Sequence, residues 1–433
     1  MSVLVATLVL FGAFLLLLFL GVPIAISIAV SALATMLLVL PYDQASFVVM
    51  QKMNSGIESF TLLAVPLFIL AGNIMNNGGI AGRLIRFAQL LTGRLPGSLA
   101  QTNVMGNMLF GALSGSAVAA AAAIGGTMNK AQEEQKYPKG FAAAVNIASA
   151  PTGLLIPPTA AFIVYSMIAG GVSISALFMA GVVPGILMGL VVMVVAFVHA
   201  RRYDLPRSSS PSRGEVARIT LDALPSLLLI LLVVGGIVVG VFTATEGAGI
   251  AVLYCLVLSL LYRGLTWASL QRVLISSVAT SGIILFLIAA SSAMSWVMAY
   301  TGIPQAISEA LLSVSGSVIV VFLLMNLILL VIGTFMDITP AILIFTPIFL
   351  PIVTDLGMDP VHFGVVLIFN MCIGTMTPPV GSVLFVGVSV ARTTIEKVAP
   401  ALVPYLLALV VLLLIVTFVP VLSLGLPGLL GLL

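Results

Sequence analysis

Two short segments carry the side chains of this sequence that could do chemistry. Ser114-Gly115-Ser116 places two hydroxyls in an apolar run, and Gly333-Thr334-Phe335-Met336-Asp337 adds the only ionisable residue between Glu309 and Asp355. Neutral and anionic oxygens of this kind suit Na⁺. An aspartate at the bilayer centre costs about 2.5–3.5 kcal/mol, so it is normally held by a cation, a partner or water. The sequence therefore predicts a cation role for Asp337, with capping of a hairpin at the membrane interface as the alternative.

Glycine and proline interrupt an apolar stretch after each of these segments, at Ala150–Pro158 and Gly374–Gly381. Proline removes backbone donors, so these helices must break, and the freed carbonyls must line a polar site at membrane depth. Close packing of small residues is the alternative for Gly111–Gly115. The predicted ion ligands are Ser114, Ser116, Thr152, Gly153 and Pro157 in one site, and Gly333, Thr334, Asp337, Thr339, Gly374, Thr375 and Met376 in the other.

Four more polar residues flank the two breaks and are candidate substrate contacts. They are Asn146, Thr159, Asn370 and Thr377. Asn146 and Asn370 precede the breaks, so their amides could equally bond backbone groups that the breaks free, and both interpretations remain open.

Composition places these segments in a membrane. Of the 433 residues 61% are hydrophobic and 7% charged, and the mean hydropathy is +1.30. Apolar segments of about bilayer length fill the chain without β-barrel alternation, which predicts an all-α polytopic membrane protein. The net charge of +3 is scattered over loops and gives no indication of nucleic-acid binding.

The chain repeats one order of parts, which predicts two structural repeats. Three landmarks recur at nearly one spacing: Gly79-Ile80 as Gly302-Ile303 at 223 residues, Pro157-Pro158 as Pro378-Pro379 at 221, and Val183-Pro184 as Val403-Pro404 at 220. Each repeat has about five spans, one re-entrant hairpin with arms too short to cross, and one broken helix. The predicted units are 1–199 (hairpin 97–129, broken helix 140–170), a basic cytoplasmic loop 200–222, and 223–433 (hairpin 317–353, broken helix 361–391).

Charge distribution predicts that the second repeat is inverted. Five crossings are an odd number, so the second copy should insert upside down. With the loop at Arg201, Arg202, Arg207, Arg213 and Arg218 in the cytoplasm, 15 of the 16 basic residues lie on that side and only Lys52 lies outside. This is the architecture of inverted-repeat transporters.

The sequence lacks the motifs that several function classes require. No G-x-x-x-x-G-K-[ST] loop is present, which argues against ATP hydrolysis, and His199 and His362 form no H-E-x-x-H motif. Cys255 and Cys372 lie apart in apolar segments and are predicted to be core residues. The sequence predicts no enzyme. A channel stays open as an alternative, because oxygen donors line pores too.

Nearly the whole chain resembles the large subunit of tripartite ATP-independent periplasmic (TRAP) transporters, within the ion-transporter superfamily. The resemblance lies in Glu58–Phe68, Gly111–Ser116, Ile156–Thr159 and Gly374–Gly381. It implies an elevator-type carrier in the bacterial inner membrane, driven by two or more Na⁺ ions and not by ATP. It also implies that the hairpin tips and broken helices named above bind Na⁺.

The resemblance implies three kinds of partner besides the lipid bilayer. They are a separate small four-helix membrane subunit, a periplasmic substrate-binding protein, and an organic acid such as a C4-dicarboxylate, sialic acid or another sugar acid. No Arg or Lys falls in the predicted site, so helix N-termini, hydroxyls and amides would hold the acid. A stand-alone cation-coupled carboxylate carrier is the first alternative and a channel-like protein the second.

Overall fold

A computed structural model describes residues 2–202, 205, 212–314 and 317–433, and this part of the chain is helical without β-strands. Its first half runs through ten α-helices and two 3-10 turns. They are α1 Val3–Phe19, α2 Ile24–Met36, α3 Tyr42–Ile57, a 3-10 turn Phe60–Leu63, α4 Ala64–Asn77, α5 Ile80–Thr92, α6 Ser98–Ser114, α7 Ala117–Glu134, α8 Lys139–Ser149, a 3-10 turn Ala150–Leu154, α9 Ala160–Ile168 and α10 Ile174–Arg202.

The second half follows nearly the same order. Its helices are α11 Arg213–Val238, α12 Ala244–Leu261, α13 Trp267–Thr301, α14 Ile303–Val314, α15 Val318–Gly333, α16 Ile338–Asp355, α17 Pro360–Met376, α18 Ser382–Val390, α19 Ile395–Phe418 and α20 Val421–Leu429. Gly79 and Gly302 stand at matching places before α5 and α14, each with a left-handed φ, of 77° and 72°. The Pro157-Pro158 and Pro378-Pro379 peptides are both cis.

Local signals explain several helix starts. Thr243 precedes α12 and Glu246 lies at its third position, and the two residues bond each other's backbone N–H groups as a capping box. Ser212 and Glu215 do the same for α11. The predicted basic loop 200–222 is shorter in the structure, because α10 extends to Arg202 and α11 begins at Arg213. Residues 203, 204 and 206–211, Arg207 among them, lie outside the described part.

Three helices lie where the sequence predicts neither a hairpin nor a broken helix. They are α3 at 42–57, α5 after α4, and α14 after α13. α5 is amphipathic, because Ile80, Leu84, Ile85 and Ala88 are buried on one face while Arg86 faces outward. These elements connect the spans to the hairpins.

The halves differ in the helix that precedes α14 and in its counterpart before α5. α13 is one continuous helix of 35 residues, about 52 Å long at 1.5 Å per residue. Its counterpart in the first half is divided into α3, a 3-10 turn and α4, with the division at Glu58 and Ser59. The two spans contact each other, and Asn73 of α4 donates to the Ser277 hydroxyl of α13 at 2.8 Å.

Among the described residues seven helices are long and apolar enough to cross a membrane: Phe60–Asn77 together with α10, α11, α12, α13, α16 and α19. α1, α2, α15 and α17 are apolar but shorter. The hairpin arms have 17, 18, 16 and 18 residues. The prediction that all four arms are too short to cross is wrong by length for α16, which is one of the seven. The all-α polytopic fold class predicted from the sequence is confirmed.

Candidate functional site

The first hairpin turns tightly between α6 and α7. α6 ends at Ser114, Gly115 takes a left-handed φ of 60°, and the Ser116 hydroxyl accepts the backbone N–H of Ala119 at 3.2 Å. A Cβ on Gly115 would lie 3.4 Å from the Pro158 carbonyl oxygen. The tip therefore rests against the break of the following helix, and both of its serines are only partly buried.

The second tip is longer and carries a charge. α15 ends at Gly333, and the Thr334 hydroxyl donates to the Val331 carbonyl at 2.7 Å. Asp337 stands directly before α16, yet its side chain bonds no backbone N–H of that helix. Its carboxylate instead accepts the Ser382 hydroxyl at 3.3 Å. Asp337 is exposed, and its orientation differs from that of a helix cap.

Glycine pairs bring each hairpin against its broken helix. A Cβ on Gly111 would lie 2.5 Å from the Gly153 Cα, and a Cβ on Gly374 would lie 2.5 Å from the Gly333 carbonyl carbon. No side chain fits at either crossing. Close packing, the alternative weighed for Gly111, is thus what this glycine does, and Gly153, Gly333 and Gly374 take part in the same kind of contact.

A cavity of about 380 Å³ lies between the two tips. Among the predicted ion ligands, Ser114, Ser116, Asp337, Thr339 and Thr375 line it. The others lie behind this surface: Thr152, Gly153, Pro157, Gly333, Thr334, Gly374 and Met376. Thr152 and Thr375 each donate a hydroxyl to a carbonyl of their own turn, of Ser149 at 2.7 Å and of Cys372 at 2.9 Å.

Residues of α4 and α13 close the other side of this cavity. Asn73 and Thr280 supply its polar groups there, and Phe68, Ile69 and Ile284 its apolar ones. The sequence interpretation missed Asn73, Thr280 and Ser382. Asn73 carried a usable signal, since an amide within an apolar span is uncommon.

The electrostatics of the cavity combine four helix ends with one charged side chain. The first residues of four helices line it: Ala117 of α7, Ala160 of α9, Ile338 of α16 and Ser382 of α18. Helix N-termini present unpaired N–H groups and a positive partial charge. Asp337 is the one charged side chain among the lining residues, and none of the described lining residues is basic. The arrangement offers oxygens to a cation and N–H groups to an anion.

The four candidate substrate residues lie outside the lining of the tip cavity. Thr159 caps α9 by accepting the Ala161 N–H at 3.0 Å, and the Thr377 hydroxyl donates to the Ile373 carbonyl at 2.6 Å. Asn146 donates to the Ala121 carbonyl of α7 at 2.9 Å. Asn370 donates to the Asn326 side chain at 2.7 Å.

Asn146 belongs to a buried amide cluster in the first half. The Asn107 side-chain nitrogen lies 3.0 Å from the Asn103 amide oxygen, 3.1 Å from the Asn146 amide oxygen and 2.7 Å from the Ser149 hydroxyl. Asn103 and Asn107 are fully buried. The cluster ties the first hairpin arm to the broken helix, and the Asn146 amide bonds the Ala121 carbonyl of α7 instead of a carbonyl freed by the break.

Comparison with known proteins gives one family. The profile of "Tripartite ATP-independent periplasmic transporter, DctM component" matches residues 11–422. The chain is 52% identical over 421 residues to the uncharacterized protein YgiK of Salmonella typhimurium, covering 97% of both chains. It is 36% identical to the C4-dicarboxylate TRAP transporter large permease protein DctM of Rhodobacter capsulatus, covering 98% of this chain and 100% of the relative.

A solved structure shares the fold. The crystal structure of the Alcanivorax borkumensis YdaH transporter superposes with a TM-score of 0.61, covering 87% of this chain and 88% of that chain, at 13% identity. At that identity the likeness concerns the fold alone.

Proposed function

We propose, from the premise that this chain belongs to the DctM family of tripartite ATP-independent periplasmic transporters, that it imports an organic acid by Na⁺-driven alternating access. The family is a transporter permease subunit and not an enzyme. One observation carries the proposal. Both hairpin tips and both helix breaks meet at a single cavity that offers oxygens for a cation and helix N-termini for an anion.

Two Na⁺ sites fit this cavity, one at each tip. Ser114 and Ser116 would supply hydroxyls at the first, and Asp337, Thr339 and Thr375 would supply oxygens at the second. The predicted ligands behind the lining would contribute backbone carbonyls: Thr152, Gly153, Pro157, Gly333, Thr334, Gly374 and Met376. The position of both tips at one cavity supports this, because their oxygens can reach an ion that enters it.

The proposed substrate is an organic acid of the kinds that TRAP transporters carry, such as a C4-dicarboxylate, sialic acid or a sugar acid. The DctM relative is named for C4-dicarboxylates. With no basic side chain in the lining, N–H groups of α7, α9, α16 and α18 would bind the carboxylate. A substrate role for Asn146, Thr159, Thr377 or Asn370 requires a conformation other than this one.

The proposed topology places both termini in the periplasm and the repeats in opposite orientations across the bacterial inner membrane. Contacts between segments assigned to one side support it. Arg83 lies over the Tyr262 ring at 3.4 Å and Gly264 lies against Gly78, all assigned to the cytoplasm. Lys52, the one basic residue assigned outside, lies over the Trp296 ring at 5.6 Å.

TRAP large permeases work with a periplasmic binding protein and a small membrane subunit. We propose both partners for this chain, the small subunit being a separate four-helix protein. The proposed motion is elevator-like, with the hairpins and broken helices sliding against α4 and α13. A channel would need an open path beside the tips, whereas residues of α4 and α13 next to the tips are buried.

Reconstitution tests the proposal. Proteoliposomes containing this chain and its small subunit, supplied with the binding protein, receive an inward Na⁺ gradient and a panel of labelled organic acids. We expect saturable uptake that stops when Na⁺ is replaced by choline. Each Na⁺ entering gains about 2.3 kcal/mol per 100 mV. Undiminished accumulation without Na⁺ refutes the coupling, uptake without the binding protein favours the stand-alone carrier, and non-saturating conductance favours the channel.

A further inference from the structure

A second opening lies away from the hairpin tips, on the side assigned to the periplasm. This outer groove encloses about 630 Å³, against about 380 Å³ for the tip cavity. Three connecting segments from both halves form it: the end of α3 with the following 3-10 turn, the α9–α10 loop and the α11–α12 loop. It is therefore larger than the tip cavity and built from different residues.

Hydroxyl groups dominate the polar surface of the outer groove. Nine of its nineteen lining residues are serine or threonine, and none of these described residues is charged. Ser59 and Thr61 make no side-chain hydrogen bond within the described part of the chain, so their hydroxyls are free for a ligand. The Ser173 and Ser175 hydroxyls lie 2.9 Å apart at the start of α10. The Phe60 ring, 67% exposed, provides an apolar surface beside them.

Three elements run directly from the outer groove to the tip cavity. α9 lines the cavity at Ala160 and the groove at Met167, seven residues or about 10 Å apart. The segment that contains α4 lines the cavity at Phe68 and the groove at Thr61. α13 lines the cavity at Ile284 and the groove at Ser292. The two spaces are thus neighbours along shared helices.

Buried apolar side chains lie along these helices between the two linings. Val65 of α4 lies between the two linings, as do Leu287 and Ile288 of α13, and their exposed fractions are 0%, 5% and 1%. A polar solute cannot cross such a layer while the helices stay in this arrangement, because it would lose its hydration without new partners. Passage from the groove to the cavity requires α9 to move against α4 and α13.

We propose that the outer groove is a second, outer binding site, in which the transported acid rests between release from the binding protein and entry into the tip cavity. This rests on the proposed function. Like the cavity, the groove offers hydroxyls and no basic side chain among its described residues, and its wider space holds the acid less tightly. Because the Ser59 and Thr61 hydroxyls have no internal partner among the described residues, the acid binds between Ser59, Thr61 and Ser173.

Cysteine protection tests the outer site. Both natural cysteines are buried, so labelling reports added cysteines only. Ser59→Cys and Ser173→Cys, with Val421→Cys as the control outside the groove, are prepared as complexes with the small subunit in nanodiscs. They are labelled with a membrane-impermeant maleimide with or without succinate, sialic acid or gluconate. We expect at least one acid, at twice its Kd, to slow labelling of both groove cysteines about threefold, also in choline, and to leave the control unchanged.

A blocked inner site separates direct protection from a remote effect. Thr280→Trp fills the tip cavity, and protection of the groove cysteines should persist in that background. Equilibrium binding should give two acids per wild-type chain and one in Thr61→Trp, which fills the groove. Absence of protection by all three acids, protection lost in Thr280→Trp, or one acid per wild-type chain overturns the outer site. If protection holds while uptake proves independent of Na⁺, the outer site stands and the proposed coupling falls.

Discussion

The two hairpin tips occupy matching places in the halves, yet their chemistry differs. The first is a neutral turn in which Ser116 caps its own helix. The second precedes α16 with Asp337, whose carboxylate leaves that helix uncapped and bonds Ser382 of the broken helix. Both tips reach one cavity. The two halves thus share a backbone framework, while the side chains at the tips differ and give one neutral and one charged tip.

The support behind the tips differs as well. In the first half Asn107 contacts Asn103, Asn146 and Ser149. In the second half Asn326 bonds Asn370 and, at 3.3 Å, the Thr417 hydroxyl. The first tip is therefore supported through one amide nitrogen, and the second through a chain of bonds that joins Asn370, Asn326 and Thr417.

The largest effect is expected where the halves agree. Gly153→Ala and Gly374→Ala each push a Cβ into backbone atoms of the facing glycine, and overpacking of this kind costs about 1–3 kcal/mol or more. Both variants should lose most folded protein, measured by size-exclusion chromatography, and nearly all uptake. Gly126→Ala is the control, because nothing lies within 4 Å of its added Cβ. Normal yield for only one of the two would show that the crossings are not equivalent.

Removal of the buried amides should destabilise both halves. Asn107→Leu removes an NH2 group whose two N–H donors serve the Asn103, Asn146 and Ser149 oxygens, at a cost of about 1–3 kcal/mol. Asn326→Leu removes donation to the Phe322 carbonyl and the Thr417 hydroxyl and leaves the Asn370 amide without its Asn326 acceptor, so it should lower the melting temperature at least as much. Thermal unfolding of the purified proteins compares them, with the exposed Asn77→Leu as the control. A smaller loss in Asn326→Leu than in Asn107→Leu would contradict this ranking.

Charge removal at the second tip should change the response to Na⁺. Asp337→Asn keeps the size of the side chain, and interactions with a charged group are worth about 1.5–3 kcal/mol. The Na⁺ concentration for half-maximal uptake should therefore rise at least about tenfold. Ser114→Ala and Ser116→Ala each remove one neutral oxygen and should raise it less. Initial uptake is measured at equal membrane abundance, and wild-type Na⁺ dependence in Asp337→Asn would leave backbone carbonyls as the main ligands.

The smallest effect concerns the partner of that carboxylate. Ser382→Ala removes a hydrogen bond worth about 0.5–1.5 kcal/mol, so Asp337 keeps its charge but loses part of its orientation. The half-maximal Na⁺ concentration should rise about two- to tenfold. In an Asp337→Asn background the same change should add little. Full additivity in this double-mutant cycle would mean that Ser382 acts on substrate binding by itself.

The hairpins and breaks could be predicted from the sequence because their signals are covalent or compositional. Proline deletes donors wherever it stands, and the recurrence of Pro157-Pro158 as Pro378-Pro379 marks both breaks. The amphipathic helices were missed, since polar segments between spans resemble loops when judged by hydropathy. The spacing of Ile80, Leu84 and Ala88 could have revealed α5.

The walls of the site were harder to predict. Asn73, Thr280 and Ser382 lie far apart in sequence and meet only through helix packing, so no local pattern joins them. The Gly111 and Gly153 contact shows the opposite limit. The sequence indicates that both glycines matter, but glycine serves close packing and ion binding alike. Only the geometry of the helix crossing distinguishes close packing from ion binding.

The unequal lengths of neighbouring helices bring lipid thickness into the energetics of this protein. α13 is about 52 Å long, whereas α2, which packs beside it with 13 residues, spans about 20 Å. A hydrocarbon core of about 30 Å matches neither, so α13 must tilt or project, and α2 must be matched by bilayer thinning, by its flanking residues or by neighbouring helices. Acyl-chain length therefore changes the free energy of each conformation through hydrophobic mismatch. Lipids of different length will shift the balance between conformations whose lipid-facing surfaces differ in hydrophobic thickness.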